Sequence, residues 1–177
     1  MNIFVITGSP HRHGSSDLLA ERFIQGAIEA GHKVERFDAA FANLHPCLGC
    51  DRCGMNGKCV QKDDMGKVLE KLLSSDLVAL VTPLYYFGMS AQLKILLDRF
   101  YAVNGQIQSK RMQSVFLSVC WNGDEESMAA LKHHYDTLCG YLNWQDRGAI
   151  YGLGCGTRSM TAGTPYPELA HQLGRSL

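Results

Sequence analysis

The chain has 177 residues, with 17 Lys and Arg balanced by 17 Asp and Glu for a formal net charge of zero, and it carries 18 glycines and 7 cysteines. That length suits one domain over residues 1–177, with a core large enough to hold without disulfides; neutrality excludes a basic footprint for nucleic acid or a polybasic surface for anionic lipid. The opening apolar run, Met1–Ile6, has no cationic leader and is too short for a signal peptide or a membrane span, so the expectation is a cytoplasmic chain with no membrane partner, whose cysteines stay thiols or hold metal.

Apolar runs with β-branched residues predict strands at Asn2–Thr7, Lys33–Phe37, Asp76–Thr82, Ser114–Cys120 and Ala149–Leu153. Ile3–Ile6 and Leu77–Val81 are continuously apolar rather than alternating, the pattern of a strand buried on both faces of a parallel sheet. Helical spacing fills the intervals. Leu19, Phe23 and Ala27 line a first helix that opens near Ser16-Asp17 and stops at Gly31. Val68, Leu69, Leu72 and Leu73 line a second after Asp63-Asp64, and Ser90 can cap a third that buries Leu93, Leu96, Leu97 and Phe100. A fourth runs from about Asp124 through Met128, Leu131, Tyr135 and Leu138, and a short, weakly signalled one follows Pro165 and Pro167. Five alternations of strand and helix predict an α/β domain, a parallel sheet with helices on both faces. Ligands in such folds sit beyond the carboxyl ends of the strands, so the residues after each strand carry the functional question.

The loop after the first strand, Thr7-Gly8-Ser9-Pro10-His11-Arg12-His13-Gly14-Ser15-Ser16, is suited to an anion. Gly8 and Gly14 allow turning and close approach, while hydroxyls and unpaired helix-start amides can donate to phosphate oxygens. It has neither Gly-Lys-Ser/Thr nor G-x-G-x-x-G, so it is neither a nucleotide-hydrolysing P-loop nor a dinucleotide fingerprint. A plain turn and helix cap is the competing reading, and solvated loop positions are the competing reading for His11 and His13.

After the second strand, in a loop at about 44–62, Cys47, Cys50, Cys53 and Cys59 fall within thirteen residues. The Cys-x2-Cys-x2-Cys run gathers three sulfurs, and Gly54 and Gly57 let the chain double back to bring a fourth. This spacing suits an iron–sulfur cluster, such as a [4Fe–4S] centre, better than zinc, whose ligands more often come as separated pairs. Zinc, or thiols without metal, remain open.

Beyond the third strand, Pro83-Leu84-Tyr85-Tyr86-Phe87-Gly88 offers a stiff exit, aromatic faces and a glycine before the Ser90 cap, suited to a flat apolar ligand. Core packing is the alternative for each ring. Cys120-Trp121-Asn122-Gly123-Asp124 follows the fourth strand, where Trp121 can wall a ligand and Asn122 or Ser118 can bond its polar edge. Cys120 reads as a small buried apolar group and Cys139 as core. Gly152–Thr157 is glycine-rich enough to run beside a ligand or partner subunit, with Cys155 a candidate redox thiol. No Ser-His-Asp or Cys-His set is legible, so no catalytic acid, base or nucleophile is assigned.

Three of these segments in this order, Thr7–Ser16, the cysteine stretch running into Asp63-Asp64-Met65, and Thr82–Lys94, resemble the NAD(P)H-dependent FMN reductase family, in particular its iron–sulfur flavoproteins. The resemblance implies a flavodoxin-like three-layer sandwich, its five parallel strands ordered 2-1-3-4-5, with bound FMN in a homodimer or homotetramer. It implies cofactor contacts at Ser9, Pro10, His11, Gly14, Ser15 and Ser16 for the phosphate, and at Pro83, Leu84, Tyr85, Tyr86, Phe87, Gly88 and Trp121 for the ring. The function it implies passes electrons from NAD(P)H through FMN to a quinone, a flavin or an electron-carrier protein. The alternative is an iron–sulfur electron-transfer module without direct NAD(P)H turnover; a flavin-free sensor or structural zinc protein fits the phosphate loop poorly.

Overall fold

The computed structural model describes residues Met1–Leu177. Its strands are β1 (Asn2–Thr7), β2 (Lys33–Asp38), β3 (Leu77–Tyr85), β4 (Gly88–Met89), β5 (Gln113–Val119) and β6 (Gln145–Gly152). Its α-helices are α1 (Ser15–Glu29), α2 (Met65–Ser74), α3 (Ala91–Asp98), α4 (Asn104–Lys110), α5 (Glu126–Leu142), α6 (Arg158–Ala162) and α7 (Tyr166–Arg175). Five strands pair in parallel in the order β2-β1-β3-β5-β6, while the two-residue β4 folds back antiparallel on the end of β3. The flavodoxin-like order 2-1-3-4-5 is therefore realised by the five parallel strands, and β4 is an addition that sequence reading did not anticipate.

The strand side chains alternate between two cores. Phe4, Ile6, Val78, Leu80 and Phe116 face one layer with α2 to α5, while Ile3, Val5, Leu77, Ala79, Val81, Val115 and Leu117 face the layer of α1 and α7. This is why β1 and β3 read as unbroken apolar runs: both faces are covered. The edges differ. β2 exposes Lys33, Glu35 and Arg36 to varying degrees and β6 begins with exposed Gln145, Asp146 and Arg147, charges that discourage pairing with another sheet. Those polar residues also hid the first four positions of β6, which sequence reading began at Ala149.

Helix α7, the weakest of the predicted helices, packs closely on α1. A Cβ on Gly26 would lie 2.0 Å from the His171 carbonyl oxygen, and one on Gly174 would lie 2.2 Å from that of Phe23. Two glycines thus let two backbones meet where larger residues would force them apart. Helices α4 and α6 escaped sequence reading because, at 7 and 5 residues, they are too short for a periodic signal. No helix is long and apolar enough to cross a membrane.

Candidate functional site

A cavity of about 520 Å³ opens at the carboxyl edge of the sheet. Its walls come from four separate segments: the loop after β1 (Ser9, His11, Gly14, Ser15, Ser16), the end of β3 (Pro83, Leu84, Tyr85), the exit of β5 (Val119, Cys120, Trp121) and the loop after β6 (Cys155, Gly156, Thr157, Arg158).

At the α1 end the chain presents donors. Gly14 precedes α1 without a side-chain cap, and the first helix amide bonded within the chain is that of Leu18, to the Gly14 carbonyl at 3.1 Å. The amides of Ser15, Ser16 and Asp17 are thus unpaired at the positive end of a helix of 15 residues. Around them Ser9 Oγ accepts from the His11 amide at 3.1 Å, and the His13 amide donates to Asp17 Oδ2 at 2.9 Å. Ser90 joins this loop to β3 and α3: its hydroxyl donates to the Gly8 carbonyl at 2.7 Å and accepts from the Leu93 amide at 3.3 Å. The Ser90 cap read from sequence therefore also anchors the anion loop.

At the other end the walls are apolar. Pro83, Leu84 and Tyr85 extend β3 past Thr82, and the chain reverses through Tyr86 (φ 47°) and Phe87 (φ 62°) into β4. Both central residues of this two-residue turn are left-handed, a conformation that hairpins usually give to Asn and Gly. Tyr86 is fully exposed and Phe87 is 58% exposed. Tyr86, Phe87 and Gly88 thus form a hairpin outside the cavity rather than part of its wall, and Pro10 also lies outside it.

Trp121 is 68% exposed and lies against the loop after β6, where a Cβ on Gly156 would sit 2.3 Å from its ring. Gly156 is therefore required for Trp121 to lie where it does. The loops after β5 and β6 continue the sheet pairing, with the Cys155 amide on the Cys120 carbonyl at 2.7 Å and the Gly154 amide on the Asn122 carbonyl at 2.8 Å. Asn122 spends its side-chain amide on Ser127 Oγ at 2.9 Å, and neither it nor Ser118 lines the cavity. Burial pushes the Cys120 and Cys155 thiols up, which keeps them protonated at neutral pH. Thr157 ends the Gly-rich stretch read as running beside a ligand, and Arg158, the next residue, went unread. The signal was its position directly after the Gly-rich stretch that follows the last strand.

The four clustered cysteines lie apart from this cavity, on a loop without regular structure between the 3₁₀ turn Ala39–Phe41 and α2. Cys47 and Cys50 are exposed, while Cys53 and Cys59 are half-buried against the core. No three of the four sulfurs come within 4.8 Å of one another, so the loop as folded lacks the sulfur spacing of roughly 3.8 Å that a single tetrahedral ion requires. Four thiols on one loop are the number and type of donor that iron–sulfur groups use.

The neck of this loop is tied. The Asn43 amide donates to Asp64 Oδ2 at 2.9 Å and the Asp64 amide to the Asn43 carbonyl at 3.0 Å. Arg99 donates to both Asp63 oxygens, at 2.7 and 3.1 Å, and to the His45 carbonyl at 2.8 Å. Burial alone would raise the Asp63 carboxyl, but the Arg99 fork and the His45 and Met65 amides hold it down at about 2. The segment after Arg99 carries the rest of the loop: Tyr101 Oη donates to Asp51 Oδ1 at 2.8 Å, and the Gly57 amide to the Ala102 carbonyl at 3.1 Å.

A parallel sheet ordered 2-1-3 at its centre, with free helix amides after β1 and an apolar slot after β3 and β5, defines a flavodoxin-like α/β protein. Residues 1–153 match the NADPH-dependent FMN reductase family. The chain is 33% identical over 137 residues to an iron–sulfur flavoprotein of Methanocaldococcus jannaschii, spanning 76% of this chain and 71% of that protein. It is 27% identical over 179 residues to an iron–sulfur flavoprotein of Archaeoglobus fulgidus, spanning 97% and 76% of the two chains. Among solved structures, an NAD(P)H:quinone oxidoreductase from Methanothermobacter marburgensis superposes with a TM-score of 0.78 at 20% identity over 99% of this chain and 95% of that one, a likeness of fold. The chain belongs to the NADPH-dependent FMN reductase family and is thereby a flavin-dependent oxidoreductase in class.

Proposed function

We propose that the cavity at the carboxyl edge of the sheet binds FMN, with Ser9, His11, Gly14, Ser15 and Ser16 on the phosphate side and Pro83, Leu84, Tyr85 and Trp121 along the ring. Bound there, the flavin supplies the chemistry that takes electrons from NAD(P)H and hands them to a quinone, a flavin or a redox-protein acceptor. The observation that carries this reading is the convergence in one cavity of unpaired α1 amides and an apolar slot, the two halves that a phosphorylated flat ligand needs. The residues bind, orient and shield. The cavity is lined by no carboxylate, which suits hydride transfer, where positioning matters more than proton transfer.

A second reading, an electron-transfer module that exchanges single electrons between flavin and a cluster on Cys47, Cys50, Cys53 and Cys59, is favoured by two observations. The four thiols sit on a loop that Arg99 and Tyr101 hold to the body of the fold, and the relatives named above are iron–sulfur flavoproteins. Assembly as a homodimer or homotetramer is supported by the exposed aromatics Tyr86, Phe87 and Trp121 near the cavity mouth.

Protein purified without oxygen should show a flavin absorption spectrum, with iron and sulfide assayed alongside. Flavin without iron would remove the cluster; neither would remove the whole reading. Rapid bleaching on anaerobic mixing with NADPH or NADH supports the reductase, whereas bleaching only by reduced ferredoxin supports the electron-transfer module.

A further inference from the structure

The cavity is lined by no Asp or Glu, and its single permanently charged side chain is Arg158. The cation within the anion loop itself, Arg12, is turned elsewhere: its guanidinium lies 3.9 Å from the Phe41 ring centroid, and it lines a separate polar pocket beside Asp17 and Asp38. Arg36 pairs with Asp17 and Asp38 in that second pocket. A dianionic ligand at the α1 amides would therefore meet hydroxyls and amides from the loop, but no fixed cation.

Arg158 reaches this place from the far end of the chain. It lies one residue beyond Thr157, whose hydroxyl accepts from the Met160 amide at 3.2 Å and shapes the start of α6. Its guanidinium binds Glu21, with Nη2 to Oε2 at 2.5 Å, and stands 4.0 Å from Asp17 Oδ2 in the first turn of α1. Asp17 follows Ser16 directly, so Arg158 lies over the turn whose amides are free. The buried Asp17 and half-exposed Glu21 would repel a phosphate, and Arg158 offsets both.

We propose that Arg158 is a phosphate-holding residue of this cavity, supplying the charge by which it selects FMN over riboflavin. The inference rests on the FMN reading above, and deepens it by assigning the specificity for the phosphorylated flavin to a residue outside the phosphate loop. Glu21 is then a competing anion on the guanidinium rather than a group the ligand needs.

The test is titration of the flavin-free full-length chain with FMN and with riboflavin, followed by quenching of flavin fluorescence. Arg158→Gln should weaken FMN by about tenfold or more, the scale of a lost charge-assisted hydrogen bond, and leave riboflavin unchanged. Arg158→Lys should recover part of the loss, and the salt dependence of FMN binding should flatten in the Gln variant. Unchanged riboflavin affinity also reports an intact cavity. If Arg158 only bridges α6 to α1, Glu21→Gln breaks the same bridge and must mimic Arg158→Gln; the phosphate role requires Glu21→Gln to retain FMN. Equal losses for FMN and riboflavin, or an unchanged FMN affinity with an altered NADPH KM, would overturn the assignment. Failure of the unsubstituted protein to bind either flavin would instead overturn the FMN reading itself.

Discussion

Arg99 is among the largest side chains fully enclosed in the interior, and it is charged. Its partner Asp63 is equally buried, so removing one leaves the other stranded in a low-dielectric site. Arg99→Met should destabilise the protein by about 3–5 kcal/mol, read from urea unfolding, and should make the 44–62 loop the first site of proteolysis. The same pair sets a pH dependence. Because Asp63 is depressed from 3.8 to about 2, its contribution is fully present above the unfolded value and is lost as pH falls through the folded one. Acid unfolding of the parent should therefore steepen between about pH 4 and pH 2, and an Asp63→Asn variant should lack that component. Trp121 offers a second residue-level test. Gly156→Ala would drive a methyl into its ring, so tryptophan emission should shift and flavin retention should fall; an unaltered spectrum would mean that the ring is not held there.

Among the elements, the β3–β4 hairpin is built against local preference. Tyr86 and Phe87 both occupy left-handed backbone, at a cost of roughly 1–2 kcal/mol each relative to glycine. Replacing them with Asn-Gly should raise the melting temperature while removing two exposed rings from the cavity mouth. A stabilised variant with reduced turnover would locate the strain at function; one that melts lower would show that the rings pack on something that stabilises them. The α1–α7 contact makes the opposite demand. Gly174→Ala places a Cβ against the Phe23 backbone rather than a flexible side chain, so it should destabilise by at least the 1–3 kcal/mol typical of overpacking, measured by thermal unfolding. Propensity alone would call that substitution favourable in a helix; the backbone contact reverses its sign.

At the scale of the whole molecule, the cysteine loop is an attachment rather than a foundation, because Arg99, Tyr101 and Ala102 hold it without the exposed sulfurs of Cys47 and Cys50. On the cluster reading, converting Cys47 and Cys50 to Ser should abolish iron binding yet leave flavin content and the melting temperature close to the parent; loss of flavin as well would show that the loop and the cavity fold as one unit. The strands β1, β2, β3, β5 and β6, their cover of helices on both faces and the glycine-rich loop after β1 were legible in sequence because each rests on local information: apolar periodicity, a helix cap, glycine at a turn; the spatial order of the strands came instead from the resemblance to a known family. Ile3–Ile6 and Leu77–Val81 announce a strand covered on both faces wherever the rest of the chain goes. The arrival of Arg158 beside Ser15, Pro83 and Trp121 was not legible, because a residue so far along the chain joins them only when the last parallel strand brings its carboxyl end to the same edge. Nor could sequence show that β3 outruns its apolar run, which carries Tyr86 and Phe87 out of the cavity, or that Arg12 turns toward Phe41. Residue chemistry and spacing determined what this chain can bind; tertiary packing decided which of its charges and rings stand together, since that depends on distances no local pattern encodes.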